Sequence, residues 1–354
     1  MRRESDTGPL PPVRRPGPAA PPPTAPPTAE IAAPEGTREV PVPAVTGPAT
    51  DAVPLQGALP SLDEGASVAD EPAEELPVTE QPPEKPSRAG RDLVAAVGVG
   101  LSLGALILVS LLVYRPAFLL VLGAAVLVSV VELTRALRAG GAEPPLVPVL
   151  VGAVAMVALA WTRGEVGLVV AFLLTVLAVL LWRLGDGPEG YLRDAASGVL
   201  VALYVPLLAG FAVLLLVPDD GATRVILFIA TVVGNDVGGY AAGVLFGRHP
   251  MAPTVSPKKS WEGMAGSVLG CVAVATPIVV LGLDGPWWGG VLFGAALAVS
   301  ATLGDLGESL IKRDLGIKDM GTLLPGHGGL MDRMDSLLPS AAVAWLLLSW
   351  AVPA

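Results

Sequence analysis

The sequence predicts an all-α polytopic membrane protein with about nine transmembrane helices, preceded by a disordered proline-rich segment. The composition is the first observation: 52% of the 354 residues are hydrophobic and only 15% are charged, whereas a soluble domain carries roughly a quarter charged residues. The second is that, from residue 93 onward, apolar runs of about 20 residues follow one another, which is the length of a membrane-crossing helix. The third is that no run alternates with the period of two that is typical of a membrane β-barrel.

The N-terminal segment, residues 1–92, differs in composition from the rest of the chain. It holds 21 of the 36 prolines, and it has 15 acidic against 8 basic side chains. Such a segment cannot bury enough apolar surface to offset the entropy of ordering the chain, so we expect a disordered cytoplasmic tail. Residues 93–354 form the predicted transmembrane domain, which carries −3 of the net charge of −10.

Within the transmembrane domain, nine apolar runs are separated by polar loops. We expect the fifth run to kink at Pro206, because proline cannot donate the helical hydrogen bond. The predicted spans are 93–114, 116–134, 144–161, 166–184, 195–217, 225–246, 264–283, 287–311 and 337–353.

The basic residues predict how these spans are oriented, because loops rich in Lys and Arg stay in the cytoplasm. With the N-terminus inside, fourteen basic residues fall on the cytoplasmic side and only three, Arg115, Arg163 and Arg224, fall outside. We therefore expect a multi-pass protein of the cell (plasma) membrane with its C-terminus outside. The loops 247–263 and 312–336 would then face the cytoplasm.

These two loops are longer than the others, and they hold the residue types that bind a metal-bound polyphosphate. Ammonium groups and backbone amides neutralise phosphate oxygens, and carboxylates hold Mg²⁺. The sequence has no Walker motif, which excludes a P-loop enzyme. The candidate substrate-binding residues are Ser256, Lys258, Lys259, Ser309, Arg313, Lys318, His327 and Arg333.

A polar stripe is predicted at the end of the eighth span. If that helix continues to residue 311, then Asp305, Glu308, Ser309 and Lys312 recur at helical spacing and share one face. Asp305 would lie about 10 Å deeper in the membrane than Lys312. A carboxylate at that depth is costly unless it lines a wet cavity or binds a cation.

Two further carboxylates precede the ninth span. Asp332 and Asp335 are three residues apart, so they share a face if the ninth helix begins near them. Together with Asp305 they would form a carboxylate cluster at the membrane boundary, which predicts a Mg²⁺ site. An ordinary membrane interface with salt bridges, such as Asp332 with Arg333, is the alternative.

Asp236 is a second kind of candidate, because it lies twelve residues from both Arg224 and Arg248. It would therefore sit about 18 Å from either end of a straight helix, near the middle of the membrane. Intramembrane acids are functional by default, although a hydrogen bond that joins two helices is the alternative. The glycines around it would let neighbouring helices approach closely or let this helix break.

Other titratable residues point to no site of their own. Cys271 lies in an apolar run and needs no function beyond packing. His249 and His327 are far apart, which argues against a zinc site. We expect Glu132 and Glu143, which flank a loop, to be solvated.

The polar residues of the two long loops resemble the signature of the phosphatidate cytidylyltransferase (CDP-diacylglycerol synthase) family. The resemblance covers 225–354 in detail, and the earlier helices only by hydropathy. The matching stretches are 236–240, 247–248, Ser256-Pro257-Lys258-Lys259-Ser260-Trp261-Glu262-Gly263, 309–313, 318–319, Pro325-Gly326-His327-Gly328-Gly329 and 332–335.

This resemblance implies an enzyme that transfers CMP from CTP to phosphatidic acid, giving CDP-diacylglycerol and pyrophosphate in phospholipid biosynthesis. It also implies dependence on Mg²⁺, with a second cation such as K⁺, and a homodimer. The expected partners are CTP, phosphatidic acid and membrane lipids, with no nucleic acid.

Roles for individual residues follow from the resemblance and from charge. Asp305, Asp332 and Lys312 are the expected catalytic residues, and Asp335 joins the two aspartates at the metal. Lys258 and Lys259 would hold the β- and γ-phosphates. The remaining basic residues, Lys312, Arg313, Lys318 and Arg333, are candidates for the lipid phosphate or the leaving group, and His327 would shape a phosphate-facing turn.

Two other functions stay open from the sequence. One is a related enzyme, either a cytidylyltransferase for a different lipid phosphate or a polyprenol-type kinase that uses CTP. The other is a secondary transporter, which would account for many helices and for mid-membrane Asp236. Transporters place their polar residues mainly at mid-membrane, whereas most polar residues here lie in two loops.

Overall fold

The computed structural model of the chain describes residues 89–321, 323 and 328–352. The predicted tail lies outside these residues, apart from 89–92, which begin the first helix. The helices are α1 (Ala89–Val113), α2 (Arg115–Ala139), α3 (Leu146–Leu184), α4 (Tyr191–Ala202), α5 (Leu208–Leu216), α6 (Gly221–Phe246), α7 (Trp261–Gly282), α8 (Trp287–Asp314), α9 (Met331–Met334) and α10 (Leu337–Ala351). Strands β1 (Pro250–Ala252) and β2 (Ser256–Ser260) form an antiparallel hairpin between α6 and α7.

The helices confirm a multi-pass membrane protein, because seven helical stretches in the described part of the chain are long and apolar enough to cross a bilayer. One of these stretches joins α4 to α5 through a π-helical turn, Leu203–Leu207, that contains Pro206. The predicted kink is therefore a π-helical turn, which accommodates the missing proline N–H. Seven is two fewer than the predicted number of nine spans. The apolar part of α1, Gly100–Val113, is shorter than a membrane-crossing helix, and the third and fourth predicted spans both lie within α3.

The stretch α3 consists of two helical arms that join at Gly164, where the chain turns back on itself. Gly164 has φ 65° and ψ −148°, a backbone conformation that is open mainly to glycine. Gly152 packs against the side chain of Thr175, and Gly167 packs against the backbone of Leu159. The two arms are thus antiparallel neighbours, as the separate predictions 144–161 and 166–184 require.

The bundle has two distinct ends. At one end Arg115 donates to the backbone carbonyls of Pro218 and Asp219, and Arg224 donates to the carbonyl of Val352. Arg115 and Arg224 are two of the three basic residues that were predicted to lie outside the cell. Their position at the same end of the bundle agrees with the prediction that successive loops alternate between the two sides of the membrane.

The other end is named the basic end here, and it contains the C-terminal ends of α2, α6 and α8 with the β-hairpin. Gly140, just after α2, packs against the side chain of Leu315, just after α8. Buried Asp194 accepts hydrogen bonds from Arg183 and Arg193, which ties the end of α3 to the start of α4. Both long polar loops of the sequence begin at this end.

Glycines bring α6 and α7 into backbone contact. A Cβ atom on Gly238 would collide with the carbonyl oxygen of Gly266. A Cβ atom on Gly270 would lie only 2.6 Å from the carbonyl oxygen of Gly234. The predicted close approach is confirmed, and α6 stays continuous through these glycines. This contact fixes the depth at which Asp236 faces α7.

Apolar side chains fill the bundle in two clusters. Val130, Met156 and Val205 are fully buried where α2, α3 and the π-helical turn meet. Leu227 and Phe293 belong to a second cluster, formed mainly by α5, α6, α8 and α10. The candidate site lies beside this second cluster, toward the basic end.

Candidate functional site

A polar cavity of about 190 Å³ opens between α6, α7 and α8 at the basic end. Four of the residues singled out from the sequence line it: Asp236, Lys258, Lys259 and Asp305. The other lining residues are Asn235, Gly239, Tyr240, Gly243, Met251, Ser260, Gly263, Met264, Ser267 and Thr302.

Lys259 and Asp305 form the central ion pair of this cavity. The Lys259 Nζ lies 2.6 Å from the Asp305 Oδ2 and 3.5 Å from the carbonyl oxygen of Thr302. About a quarter of each side chain is exposed, 27% and 22%, so both groups are accessible to a ligand. An ion pair that is accessible to water contributes little free energy to stability. Lys259 can therefore exchange Asp305 for a phosphate, and Asp305 can exchange Lys259 for a cation.

Asp236 lines the same cavity, and its residue is exposed rather than buried in the bundle. Asn235 Nδ2 donates a 3.1 Å hydrogen bond to it, and its charge interacts with those of Lys259 and Asp305. Asp236 therefore shares one cavity with Lys259 and Asp305, about 10 Å of helical rise from Gly243 near the end of α6. This location agrees with the functional interpretation of Asp236.

The start of α7 and the β-hairpin fix where the lysines stand. Ser260 Oγ accepts a 3.1 Å hydrogen bond from the Gly263 N–H and so caps α7. Glu262 accepts from the backbone amides of Arg248 and His249, and one of its oxygens lies 2.5 Å from His249 Nδ1. These bonds tie the hairpin to α7, and Lys258 and Lys259 are carried to the mouth of the cavity.

A second ion-pair group lies further along α8, which continues to Asp314 as the polar stripe requires. Lys312 Nζ lies 2.8 Å from Glu308 Oε2 and 2.9 Å from Asp332 Oδ1. All three side chains are largely buried. The predicted stripe is therefore confirmed as an inward-facing row that ends at a lysine shared by two carboxylates.

Asp332 holds two parts of the chain segment that precedes it. Its oxygens accept hydrogen bonds from the backbone amides of Met320, at 3.0 and 3.2 Å, and Gly329, at 2.8 Å, in addition to Lys312. Gly328 has φ 78°, and a Cβ atom there would lie 3.1 Å from Asp332 Oδ2. The loop can therefore wrap around this carboxylate only with glycine at that position.

Glu308 and Asp335 bring two more carboxyl groups together. Glu308 is fully buried, its Oε1 has no hydrogen-bond donor among the described residues, and Asp335 lies within hydrogen-bonding reach of it. Gly304 permits this approach, because a side chain there would collide with the backbone at Asp335. Adjacent carboxylates repel each other, and a cation between them removes that repulsion.

The predicted cluster of three carboxylates is not formed. Within the described ranges, no three His, Cys, Asp or Glu side chains come together to hold a metal ion. Asp305 and Asp335 are close enough for their charges to interact, whereas backbone amides and Lys312 occupy Asp332. The helical spacing correctly gave a shared face for Asp332 and Asp335, but it carried no information about these amide partners.

The remaining predicted residues lie around this site. Arg313 and Lys318 are exposed at the basic end, Ser256 and Ser309 are half-buried, and none of these four lines the cavity. Arg333 is exposed, and its charge acts on Asp236. His327 lies outside the described residues.

Glu132 is a functional candidate that the sequence interpretation missed. It is buried in α2 with 7% exposure and accepts a 2.8 Å hydrogen bond from the Met331 N–H. The prediction of a solvated side chain was wrong because α2 continues to Ala139, five residues beyond its predicted end at 134. Glu143, in contrast, is exposed as predicted, and it also pairs with Arg138.

Comparisons with known proteins show the family of the chain. The profile of the cytidylyltransferase family matches residues 94–351. A phosphatidate cytidylyltransferase of Mycobacterium bovis is 46% identical over 285 residues, which cover 76% of this chain and 92% of that protein. One of Mycobacterium leprae is 48% identical over 280 residues (74% and 89%), and one of Brucella suis is 35% identical over 190 residues (52% and 66%).

Proposed function

Because the chain belongs to the cytidylyltransferase family, we propose that the polar cavity and the Lys312 group are the reaction site of a phosphatidate cytidylyltransferase. The enzyme transfers CMP from CTP to phosphatidic acid, giving CDP-diacylglycerol and pyrophosphate. The Lys259–Asp305 pair is the observation on which the site assignment depends, since it brings an exchangeable cation and a carboxylate together in one cavity.

CTP would enter the polar cavity with its triphosphate toward the start of α7. Lys258 and Lys259 line the cavity mouth and would hold the β- and γ-phosphates. The first amides of α7 add a partial positive charge at the same place. Ser260 caps this helix and so orients its N-terminus.

The phosphate of phosphatidic acid is the nucleophile, and it is already anionic at pH 7, so no strong general base is needed. Its oxygen forms a bond to the α-phosphorus of CTP while the bond from that phosphorus to the bridging oxygen of the β-phosphate breaks. Pyrophosphate leaves with the electron pair. The barrier comes from bringing two anions together, which calls for positioning and positive charge. Lys312, Arg313, Lys318 and Arg333 are the candidates for this role at the basic end.

The carboxylates fit a Mg²⁺ ion in their chemistry. Mg²⁺ is commonly bound through one or two carboxylates together with substrate phosphates and water, so a cage of three is not required. Asp305 and Asp335 would hold the ion, and the unsatisfied Oε1 of Glu308 supports a cation nearby. Asp332 would join them only by giving up amide contacts. Bound there, Mg²⁺ supplies charge neutralisation for the triphosphate.

Incubation of the purified protein with CTP, phosphatidic acid and Mg²⁺ tests this function. We expect CDP-diacylglycerol and pyrophosphate, identified by mass. A phosphorylated lipid or a different CDP-lipid would instead indicate one of the related transferases. Counterflow of a labelled solute in vesicles without CTP turnover would indicate a transporter.

Lys259→Ala should raise the KM for CTP by roughly ten- to a hundredfold, because a charge-assisted contact to phosphate is lost. The KM for phosphatidic acid should change little. Arg163→Ala, a comparable loss of charge far from the basic end, is the control and should leave both constants unchanged. An unchanged response to CTP in Lys259→Ala would move the triphosphate elsewhere.

We also propose that the basic end faces the cytoplasm of the cell membrane and that the chain crosses the membrane nine times. A straight α3 would be about 58 Å long, roughly twice the 30 Å hydrocarbon core. The reversal at Gly164 supports two crossings instead. Cysteines introduced near residues 163 and 318 should then react with an impermeant reagent from opposite sides of the membrane.

A further inference from the structure

An apolar cavity of about 130 Å³ lies inside the bundle, and Arg333 is among the residues that line it. Helices α1, α2, α5, α6 and α10 form its walls, through residues such as Ile107, Ala125, Phe228 and Ala341. Among the described residues that line it, Arg333 is the one that carries a charge.

A cavity of this size needs an explanation, because packed protein interiors contain few voids larger than a water molecule. Its walls offer almost no polar partner for water. Apolar cavities of about 150 Å³ in other proteins stay dry and accept apolar molecules such as benzene. The chemistry of this cavity therefore fits a segment of hydrocarbon chain.

The position of the cavity fits one leaflet of a membrane. From Arg333 at its mouth to Ala341 deep in its wall, the chain advances eight residues, or about 12 Å of helical rise. Half of a hydrocarbon core of about 30 Å is about 15 Å. A chain that entered beside Arg333 would thus lie in the leaflet nearest the basic end.

Arg333 connects the two cavities. It lines the apolar one, and its charge acts on Asp236, which lines the polar one. Its neighbour Asp332 contacts Lys312. An anionic headgroup attached to a chain in the apolar cavity would therefore lie between the two lysine groups of the site.

We infer that the apolar cavity holds a segment of one acyl chain of phosphatidic acid, with the lipid phosphate at Arg333. This inference rests on the proposed function and names the residues that select the lipid. The complementarity is twofold: apolar walls match the chain, and the cation at the mouth matches the phosphate. Helix α1 contributes Leu103 and Ile107 to the wall while Leu106 and Val109 are exposed, so α1 separates the chain from bulk lipid.

Filling the cavity tests the inference by comparing dioleoyl with dihexanoyl phosphatidic acid as substrates. Ala341→Leu and Ala125→Leu project extra methyl groups from two different walls. Each should raise the KM for the dioleoyl lipid by at least about tenfold, because the leucine side chain would occupy space that methylene groups of the acyl chain fill in the wild type. The KM for CTP and turnover of the dihexanoyl lipid should stay within about twofold of the wild type. Ala124→Leu is the matched control, because Ala124 precedes Ala125 in the same helix but faces the groove between α2 and α3.

Several results of these assays would overturn the inference about the acyl chain. Variants that fold, as judged by an unchanged thermal midpoint, yet turn over both lipids like the wild type would overturn the inference. A parallel loss with both lipids, or a selective effect of Ala124→Leu, would also overturn it. If the wild type turns over neither lipid, the proposed function itself fails.

Photocrosslinking of the unmodified protein gives a second test that does not depend on variants folding. Dioleoyl-length phosphatidic acid with a diazirine at mid-chain should label residues 103–107 or 225–229, on α1 and α6. Labelling confined to α3 would place the chain in the α2–α3 groove and contradict the inference.

Discussion

Asp305→Asn is expected to lower CTP turnover by at least about a hundredfold, the scale on which loss of one preorganised electrostatic group reduces catalysis. Asp305 is the partly exposed carboxylate of the polar cavity, and it contacts Lys259 directly. Asparagine has nearly the same shape and keeps one acceptor oxygen, so the helix and the cavity should persist. What is lost is the negative charge that would hold Mg²⁺ and orient Lys259.

The measurement is incorporation of labelled CTP into lipid in membranes, together with a Mg²⁺ titration. Asp305→Asn should also need more Mg²⁺ for its residual activity if the carboxylate is a ligand. Asp284→Asn serves as the control, because Asp284 is exposed in the loop between α7 and α8, at the opposite end of the bundle. Near-normal turnover in Asp305→Asn would remove Asp305 from the metal site.

Most of the helical layout could be predicted from the sequence because it depends on local properties. Apolar length sets where a span lies, and proline and glycine set where it bends. The eighth span was predicted as 287–311, and α8 ends at Asp314. The kink at Pro206 and the break before residue 166 were also predicted.

The partners within the site could not be predicted, because they are far apart in sequence and some carry no side-chain signal. Lys259 and Asp305 are 46 residues apart, and they meet because Lys259 lies just before α7, against whose backbone Gly290 and Gly294 of α8 pack. The amides that bind Asp332 are backbone groups, which every residue except proline has. Glu132 meets Met331 across 199 residues, and a glutamate near a loop gives no local sign of such a contact.

The largest combined effect on folding and activity is expected from changing Asp332. Asp332→Ala removes the acceptor for two backbone amides and leaves Lys312 with Glu308 as its remaining carboxylate partner. Removing one partner of a buried ion pair costs about 3–5 kcal/mol. Asp332→Asn keeps one acceptor oxygen, so it should destabilise the fold by a smaller amount, about 1–3 kcal/mol. Both variants should lose most turnover, because Lys312 is no longer held in place.

Two measurements distinguish two roles of Asp332. The first is thermal unfolding in detergent. The second is turnover with a Mg²⁺ titration, at a temperature far below the unfolding midpoint. If it holds the loop and Lys312, Asp332→Asn should lower turnover without changing the Mg²⁺ requirement, in contrast to Asp305→Asn. If it binds the metal after exchanging its amide contacts, the Mg²⁺ requirement should rise in both variants. Asp319→Asn is the control, because Asp319 is exposed in the same segment. An Asp332→Asn enzyme with wild-type stability and turnover would exclude both roles.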